Sequence, residues 1–258
     1  MSVRGQYVPV SETVRFAGLS DVGRLRANNQ DHWGADPELG LFMVADGVAC
    51  STDGALAARL VVELLPTYVA RHLKPADDGA EPEALGRALV EYCDDFRAFA
   101  ATDPRAAGSN TTVVAVVVTG SRALVAHLGD SRAYLFRDQR VQQLTRDHSV
   151  IQDLIDAGEV SAEEAERHPA RAIVTRHVAM YPRPLPDATA VELSPGDRIL
   201  LSTDGLHGVL DDDSLAQLLD THPDPAEACA ALIEAANAAG GPDNVTAVVV
   251  DVCETAGR

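Results

Sequence analysis

An α+β fold of layered antiparallel sheets and paired helices is the class this 258-residue sequence predicts. Three features carry that prediction. In mid-chain, TTVVAVVV, RALVAHLG, RAYLF and RVQQLT are β-branched or aromatic runs parted only by short breaks such as TGS, DS and RDQ. Breaks this short cannot cross over between parallel strands, so the runs read as an antiparallel meander and exclude a doubly wound sheet there. Helical stripes come in pairs before and after this region instead of alternating with strands. Finally, no long linker, low-complexity tract or repeat marks a boundary, so a single domain over 1–258 is expected, with its core at about 14–252.

Taken in order, the chain from Val14 reads as a strand and then a polar loop to Asp31, and Leu39 to Asp46 reads as a short apolar strand closing on Asp-Gly. A helix over 53–73 follows, with Leu56, Leu60, Leu64 and Tyr68 as its core stripe. Pro66 lacks an N–H and clashes with the preceding turn, so it is expected to bend or interrupt that helix. KPADDGAEP is a surface connection to a second helix over 83–101 that buries Leu85, Leu89, Tyr92, Phe96 and Phe99. Beyond the meander, a helix opens near Asp147 to Ser149, a short one spans 161–167, and YPRPLPD resists regular structure. The last third reads as strands over 190–193 and 198–203, helices near 213–219 and 225–239, and a strand over 245–252. Asp211 to Asp213 stand just before a helix, where acidic residues cap and complement the dipole.

Composition narrows the function. Lys and Arg total 21 against 39 Asp and Glu, a formal charge of -18 that repels phosphate backbones and anionic membranes. Cys50, Cys93, Cys229 and Cys253 are scattered without a CxxC pair, so a disulfide framework and a zinc ribbon are both excluded and a reduced compartment fits. No signal pattern opens the sequence and no run approaches ~18 apolar residues. The expected location is therefore the cytoplasm. Asn110 and Asn244 head sequons, but each abuts a Val-rich strand and is read as unglycosylated.

The carboxylates are less evenly placed than the charge suggests. LFMVADG, ILLSTDG and GGPDNVTAVVV each set an aspartate, Asp46, Asp204 or Asp243, at the end of an apolar strand. One Asp-Gly is an ordinary turn. Three around similar strands could meet at one sheet rim, where they would repel strongly without cations between them. Oxygen ligands without clustered His or Cys favour Mg²⁺ or Mn²⁺ over zinc. Asp130, in the Gly-Asp-Ser turn of HLGDSRAY, and Asp31, closing SDVGRLRANNQD, are further candidates. Arg26 in that second segment carries a planar guanidinium suited to clamping phosphate. Of the histidines, which share no metal-ligand spacing, His207 lies close behind Asp204-Gly205.

These segments together resemble the metal-dependent protein serine/threonine phosphatases of the PPM (PP2C-like) family in their bacterial form, over about Val14 to Val252. The resemblance rests on SDVGRLRANNQD, VADG, the Gly-Thr-Thr-like SNTTVVAVVV, HLGDSRAYLFRDQRVQQLTRDHS, DAGEVSAEEAERHPARAIVTRHV, GDRILLSTDGL and GGPDNVTAVVV in that order. It implies a four-layer αββα sandwich, two antiparallel sheets flanked by pairs of helices, with a flap over about 147–186. It also implies that Asp46 bridges two Mn²⁺ or Mg²⁺ ions and that the Gly47 carbonyl binds one of them. Asp204 and Asp243 would complete the first metal site, Asp31 would orient water at the second, and Asp130 would bind a weaker third ion. Arg26 would hold the phosphate oxygens of a phosphoserine or phosphothreonine while a hydroxide between the metals attacks phosphorus in line. The implied partners are phosphoprotein substrates and a cognate Ser/Thr kinase, and the chain is expected to act as a monomer.

Several positions depart from the family pattern. Asn-Glu-Asp is Asn29-Gln30-Asp31, the residues after VADG are Val48, Ala49 and Cys50, and the flap's Thr-Arg-Ala-Leu-Gly is Thr175-Arg176-His177-Val178-Ala179. No general acid carries over to Val48. Two other functions stay open on these departures: a degenerate member that binds phosphoproteins without turnover, and a hydrolase of small phosphate esters.

Overall fold

A computed structural model describes residues 14–48, 53–73, 81–165 and 167–253. Ala49, Cys50 and most of the KPADDGAEP connection lie outside the described residues. The strands are β1 (Val14–Asp21), β2 (Asp31–Asp36), β3 (Leu41–Asp46), β4 (Val113–Thr119), β5 (Arg122–Leu128), β6 (Arg132–Arg137), β7 (Arg140–Gln143), β8 (Asp187–Glu192), β9 (Arg198–Ser202) and β10 (Val245–Val252). The helices are α1 (Gly54–His72), α2 (Pro82–Thr102), α3 (Val150–Asp156), α4 (Ala162–Ala165), α5 (Asp204–His207), α6 (Asp212–Thr221) and α7 (Pro225–Ala238). They build two five-stranded sheets, ordered β1-β10-β9-β6-β7 and β2-β3-β4-β5-β8. Every strand pairing in both is antiparallel.

The period-2 alternation of the central strands explains the layering. In β3 and β4, Leu41, Met43, Ala45, Val113, Ala115 and Val117 point outward to α1 and α2. Phe42, Val44, Val114 and Val116 point inward to meet Val248, Val250, Ile199 and Leu201 of the other sheet. Val245, Ala247 and Val249 then face α6 and α7 through Leu215, Leu219, Leu232 and Ile233. Each central strand is thus apolar on both sides, and the order of layers is helices, sheet, sheet, helices. The fold is α+β, as expected.

Four local expectations are corrected. First, the mid-chain strands do not form one meander: β4 pairs with β5 in one sheet, whereas β6 pairs with β7 and β9 in the other. A short connection excludes a parallel crossover but not a step between stacked sheets, and Gly129-Asp130-Ser131 makes that step. Second, α1 presents Ala57, Ala58, Val61, Leu65 and Val69 to the core, and Leu64 is 44% exposed. The smaller face wins because α1 lies close on β2, where a Cβ added at Gly34 would stand 3.1 Å from the Val62 Cβ. Third, α1 runs through Pro66 without interruption, and α2 leaves Phe99 exposed at its end. Fourth, β2 and the single turn of α5 have no counterpart in the sequence reading, because each is short and its pairing comes from elsewhere in the chain. The Asp211 cap is present, its Oδ1 accepting from the Ser214 N–H at 2.9 Å.

The step between sheets depends on Gly129. Its φ is +109°, and a Cβ there would come within 2.5 Å of the Thr112 side chain. Gly129→Ala is therefore expected to cost about 3 kcal/mol from backbone strain and overpacking. Urea unfolding checks this: the midpoint should fall with the slope unchanged, and a loss below ~1 kcal/mol would show that the turn relaxes freely.

Candidate active site

The antiparallel register gathers the acidic residues. Asp31 opens β2 directly opposite Asp46, which closes β3, so the two side chains share one face. Asp204 follows β9 and Asp243 precedes β10; because those strands are antiparallel neighbours, the end of one lies beside the start of the other. Asp130 sits on the step between the sheets. Asp31, Asp46, Asp130, Asp204 and Asp243 are therefore brought to one rim, near enough for each to perturb others electrostatically. The Asp-Gly at 204–205 has a packing reason as well: a Cβ at Gly205 would lie 1.9 Å from the Asn244 carbonyl oxygen. Only glycine lets the segments bearing Asp204 and Asp243 approach so closely.

Hydroxyl and amide groups that the sequence reading did not single out hold this rim. Asp31 Oδ2 accepts from Thr203 Oγ1 at 2.7 Å and from Thr246 Oγ1 at 2.8 Å. The Asp46 backbone is framed by Thr111 and Thr112: its carbonyl accepts from Thr111 Oγ1 at 2.8 Å, and its N–H donates to Thr112 Oγ1 at 3.1 Å. Gly47 N–H donates to the Gln30 carbonyl at 3.2 Å, so the backbone of the changed Asn-Gln-Asp segment supports the turn whatever its side chain. Asn244, only 5% exposed, accepts from Gln30 N–H and donates to the carbonyls of Val22 and Asn28, pinning the loop that carries Arg26. This engagement leaves the Asn244 amide little exposed. The signal was available in the sequence as Asn following Asp243, but nothing in its spacing names its partners.

Arg26 reaches the rim and donates from Nη2 to Asp243 Oδ2 at 2.6 Å, with its side chain 43% exposed. It is not a solvated loop charge. His207 is half-buried; its Nδ1 meets Ser202 Oγ at 2.9 Å, and it hydrogen-bonds the Asp130 backbone. Burial, with Arg132 nearby, holds it well below the usual imidazole range, so it supports Asp130 as a neutral ring. Arg132 forms a bidentate pair with Asp147 at 2.8 and 2.7 Å. His127, His148 and Asp187 offer ligand atoms within 4.8 Å of one another, a grouping their long spacings hide. The two rings are stacked at 4.3 Å and 11°, so their in-plane lone pairs cannot converge on one ion, and Arg176 already pairs with Asp187 at 2.7 Å. That group is a structural tie.

The electrostatics test whether cations fit the rim. Burial, opposed by the two threonine hydroxyls and reinforced by Asp204 and Asp243, pushes Asp31 up to about 7. Burial and Asp204 push Asp130 up to about 7; burial and Asp243 push Asp204 up to about 6. Asp46 stands well above its usual range through burial and then the Asp31, Asp204 and Asp130 charges. Asp31 Oδ1 and Asp204 Oδ1 are buried with no hydrogen-bond partner. Bare carboxylate oxygens among like charges are what hard divalent cations satisfy, and the donor set is entirely oxygen, so the residues fit Mg²⁺ or Mn²⁺.

Residues 24–245 match the family model described as Protein phosphatase 2C. The chain is 36% identical over 246 residues to the serine/threonine protein phosphatase PstP of Mycobacterium tuberculosis, covering 95% of this chain and 46% of that protein. It thus spans about half the length of that relative. It is 31% identical to the protein phosphatase PhpP of Streptococcus pneumoniae, covering 92% of this chain and 96% of that one. A solved PstP catalytic domain in complex with two manganese ions superimposes with a TM-score of 0.79 at 33% identity, covering 94% of this chain and 99% of the other. The chain belongs to the protein phosphatase 2C family.

The raised carboxylates give a pH signature. Without metal, the folded state binds protons at Asp31, Asp130 and Asp204 that the unfolded chain, with carboxylates near ~4, has already released. More protons on the folded side means that these groups lose stability as pH rises from about 4 to 7. Metal binding requires the deprotonated forms, so the stabilisation it brings grows over the same window. In thermal melts, Tm in EDTA should fall between pH 5 and 7.5, and the rise on adding Mn²⁺ should be larger at 7.5. A Mn²⁺ shift independent of pH would contradict the assignment.

Proposed function

We propose that this member of the protein phosphatase 2C family is a metal-dependent protein serine/threonine phosphatase, a single catalytic domain with a flap over about 147–186. The observation that carries the reading is the meeting of five carboxylates from separate segments at one rim, two with bare inward oxygens, beside an arginine. Asp46, Asp204 and Asp243 would hold one divalent ion; Asp46 would bridge to a second, with the Gly47 carbonyl as a further ligand and Asp130 serving a weaker third. When bound, Mn²⁺ or Mg²⁺ supplies Lewis-acid charge and an activated water for direct attack on phosphorus.

The chain's own residues bind and orient. Arg26 uses one donor on Asp243, and its remaining N–H groups can take phosphoryl oxygens in a planar, bidentate fashion. Asp31 has Oδ2 fixed by two threonines, which leaves Oδ1 aimed to orient a water and receive its proton. Val48 offers no proton donor, so the leaving alkoxide is protonated from water. Phosphoserine and phosphothreonine proteins as substrates, a cognate kinase, a monomeric state and a cytoplasmic location complete the reading. No helix among the described residues is long and apolar enough to cross a membrane. The names of the relatives and the acidity of the chain support these assignments.

Hydrolysis of p-nitrophenyl phosphate should require Mn²⁺ or Mg²⁺, stop in EDTA, and fall at least ~100-fold in Asp46→Ala and Asp204→Ala. A folded, Mn²⁺-replete protein that binds phosphopeptides without turnover would sink the catalytic reading. Equal efficiency on sugar phosphates and phosphopeptides would move the function to small esters. Arg26→Ala should raise KM about tenfold, the worth of a charge-assisted hydrogen bond, while Mn²⁺ affinity measured by calorimetry is kept or improved. Weaker metal binding in that variant would contradict the role given to Arg26.

A further inference from the structure

Two departures from the family pattern prove to be partners. Asn110 stands where the Gly-Thr-Thr motif has glycine, and His177 where the flap's Thr-Arg-Ala-Leu-Gly has alanine. In the fold the Asn110 Nδ2 meets His177 Nδ1 at 2.6 Å. The orientation of the amide is fixed independently, because Asn110 Oδ1 accepts from the Thr111 N–H at 2.9 Å and the Ala179 N–H at 3.1 Å. Nδ2 is therefore the donor, and the His177 ring is held as its Nε2–H tautomer. The backbone continues the link in both directions. Val178 N–H donates to the Thr111 carbonyl at 3.0 Å, and Val48 N–H, one residue past Gly47, donates to the Asn110 carbonyl at 3.0 Å. Thr111 in turn bonds the Asp46 carbonyl through its hydroxyl.

We propose that Asn110 and His177 form a side-chain clasp that sets the flap's exit, residues 177–179, against the Asp46–Val48 turn, making them positioning residues for phosphoprotein substrates. A chain with the family's glycine and alanine at these sites has no side-chain atoms to make this bond. The clasp acts on how a peptide is seated under the flap and leaves the carboxylate rim unaltered. Its consequence for substrate binding rests on the phosphatase reading above.

Residue-resolved hydrogen exchange tests the clasp without turnover. The reporter is the Val178 amide, whose acceptor, the Thr111 carbonyl, is untouched by either substitution. His177→Ala should speed its exchange about fivefold, the worth of one hydrogen bond, Asn110→Gly, which also removes the acceptor of the Ala179 N–H, at least as much, and the double variant should be no faster than Asn110→Gly alone. His177→Gln, whose Oε1 can accept from the same amide, should restore the slow rate even if the Asn110 variants fold poorly. Exchange unchanged in His177→Ala, or effects that multiply in the double variant, would overturn the clasp. In kinetics, His177→Ala should raise KM for a phosphothreonine peptide about fivefold with kcat within twofold, while KM for p-nitrophenyl phosphate stays put. If the parent chain hydrolyses no phosphopeptide, the phosphatase reading fails and the exchange data still decide the clasp. If the parent turns over but the variant keeps its peptide KM, the positioning role fails alone.

Discussion

Like charges that are buried together must be held in place by something other than themselves. At this rim the holding is done by uncharged groups: Thr203 and Thr246 on Asp31, Thr111 and Thr112 on the Asp46 backbone, and Asn244 on the loop ahead of β2. Each bond is ordinary, but together they fix oxygens whose burial, reinforced by mutual repulsion, holds several carboxylates above their usual range. On the proposed reading, the framework that holds these like charges together also readies the rim for cations. Because the framework draws on both sheets, the stacking of the sheets and the assembly of the site are one event.

The surface and the site have opposite electrostatic requirements. A chain at -18 repels phosphate from a distance, and the acidic exterior serves solubility more than capture. Attraction has to be local and short in range. On the proposed reading Arg26 meets that need on the protein's side, and Asp243 holds its guanidinium at the rim. On the proposed reading, divalent ions add the rest, and discrimination falls to contacts made by the flap.

The architecture was legible in the sequence where the code is local and repeated. β10 was read at its observed bounds because eight residues alternate without ambiguity between two apolar environments. The caps of α3 and α6 at Ser149 and Asp211 were likewise visible. What escaped had its cause elsewhere in the chain. β2 is half polar and exists because β3 pairs with it, and Leu56, Leu60 and Leu64 repeat as regularly as the residues α1 actually buries. Within the site, the aspartates are marked by their strand ends and by resemblance, and His207 by its place behind Asp204-Gly205, whereas Thr203 and Thr246 become visible only through a partner as much as 215 positions away. Hydrogen bonds between distant hydroxyls and carboxylates leave no periodic trace.

The pairing of β1 with β10 has a bearing on synthesis. The last strand among the described residues, β10, lies inside its sheet, between β1 and β9, and brings with it Thr246 and, just ahead of it, Asp243 and Asn244. A nascent chain that has not yet released β10 leaves β1 and β9 with unpaired edges and Asp31 without one of its two hydroxyl partners. The domain therefore cannot close progressively from its N-terminal end. The rim is complete only after β10 has threaded into place, and a product truncated before it would keep the Asp31–Asp46 pairing of β2 and β3 but lack Asn244, Thr246 and the strand that sets Asp243 beside Asp204.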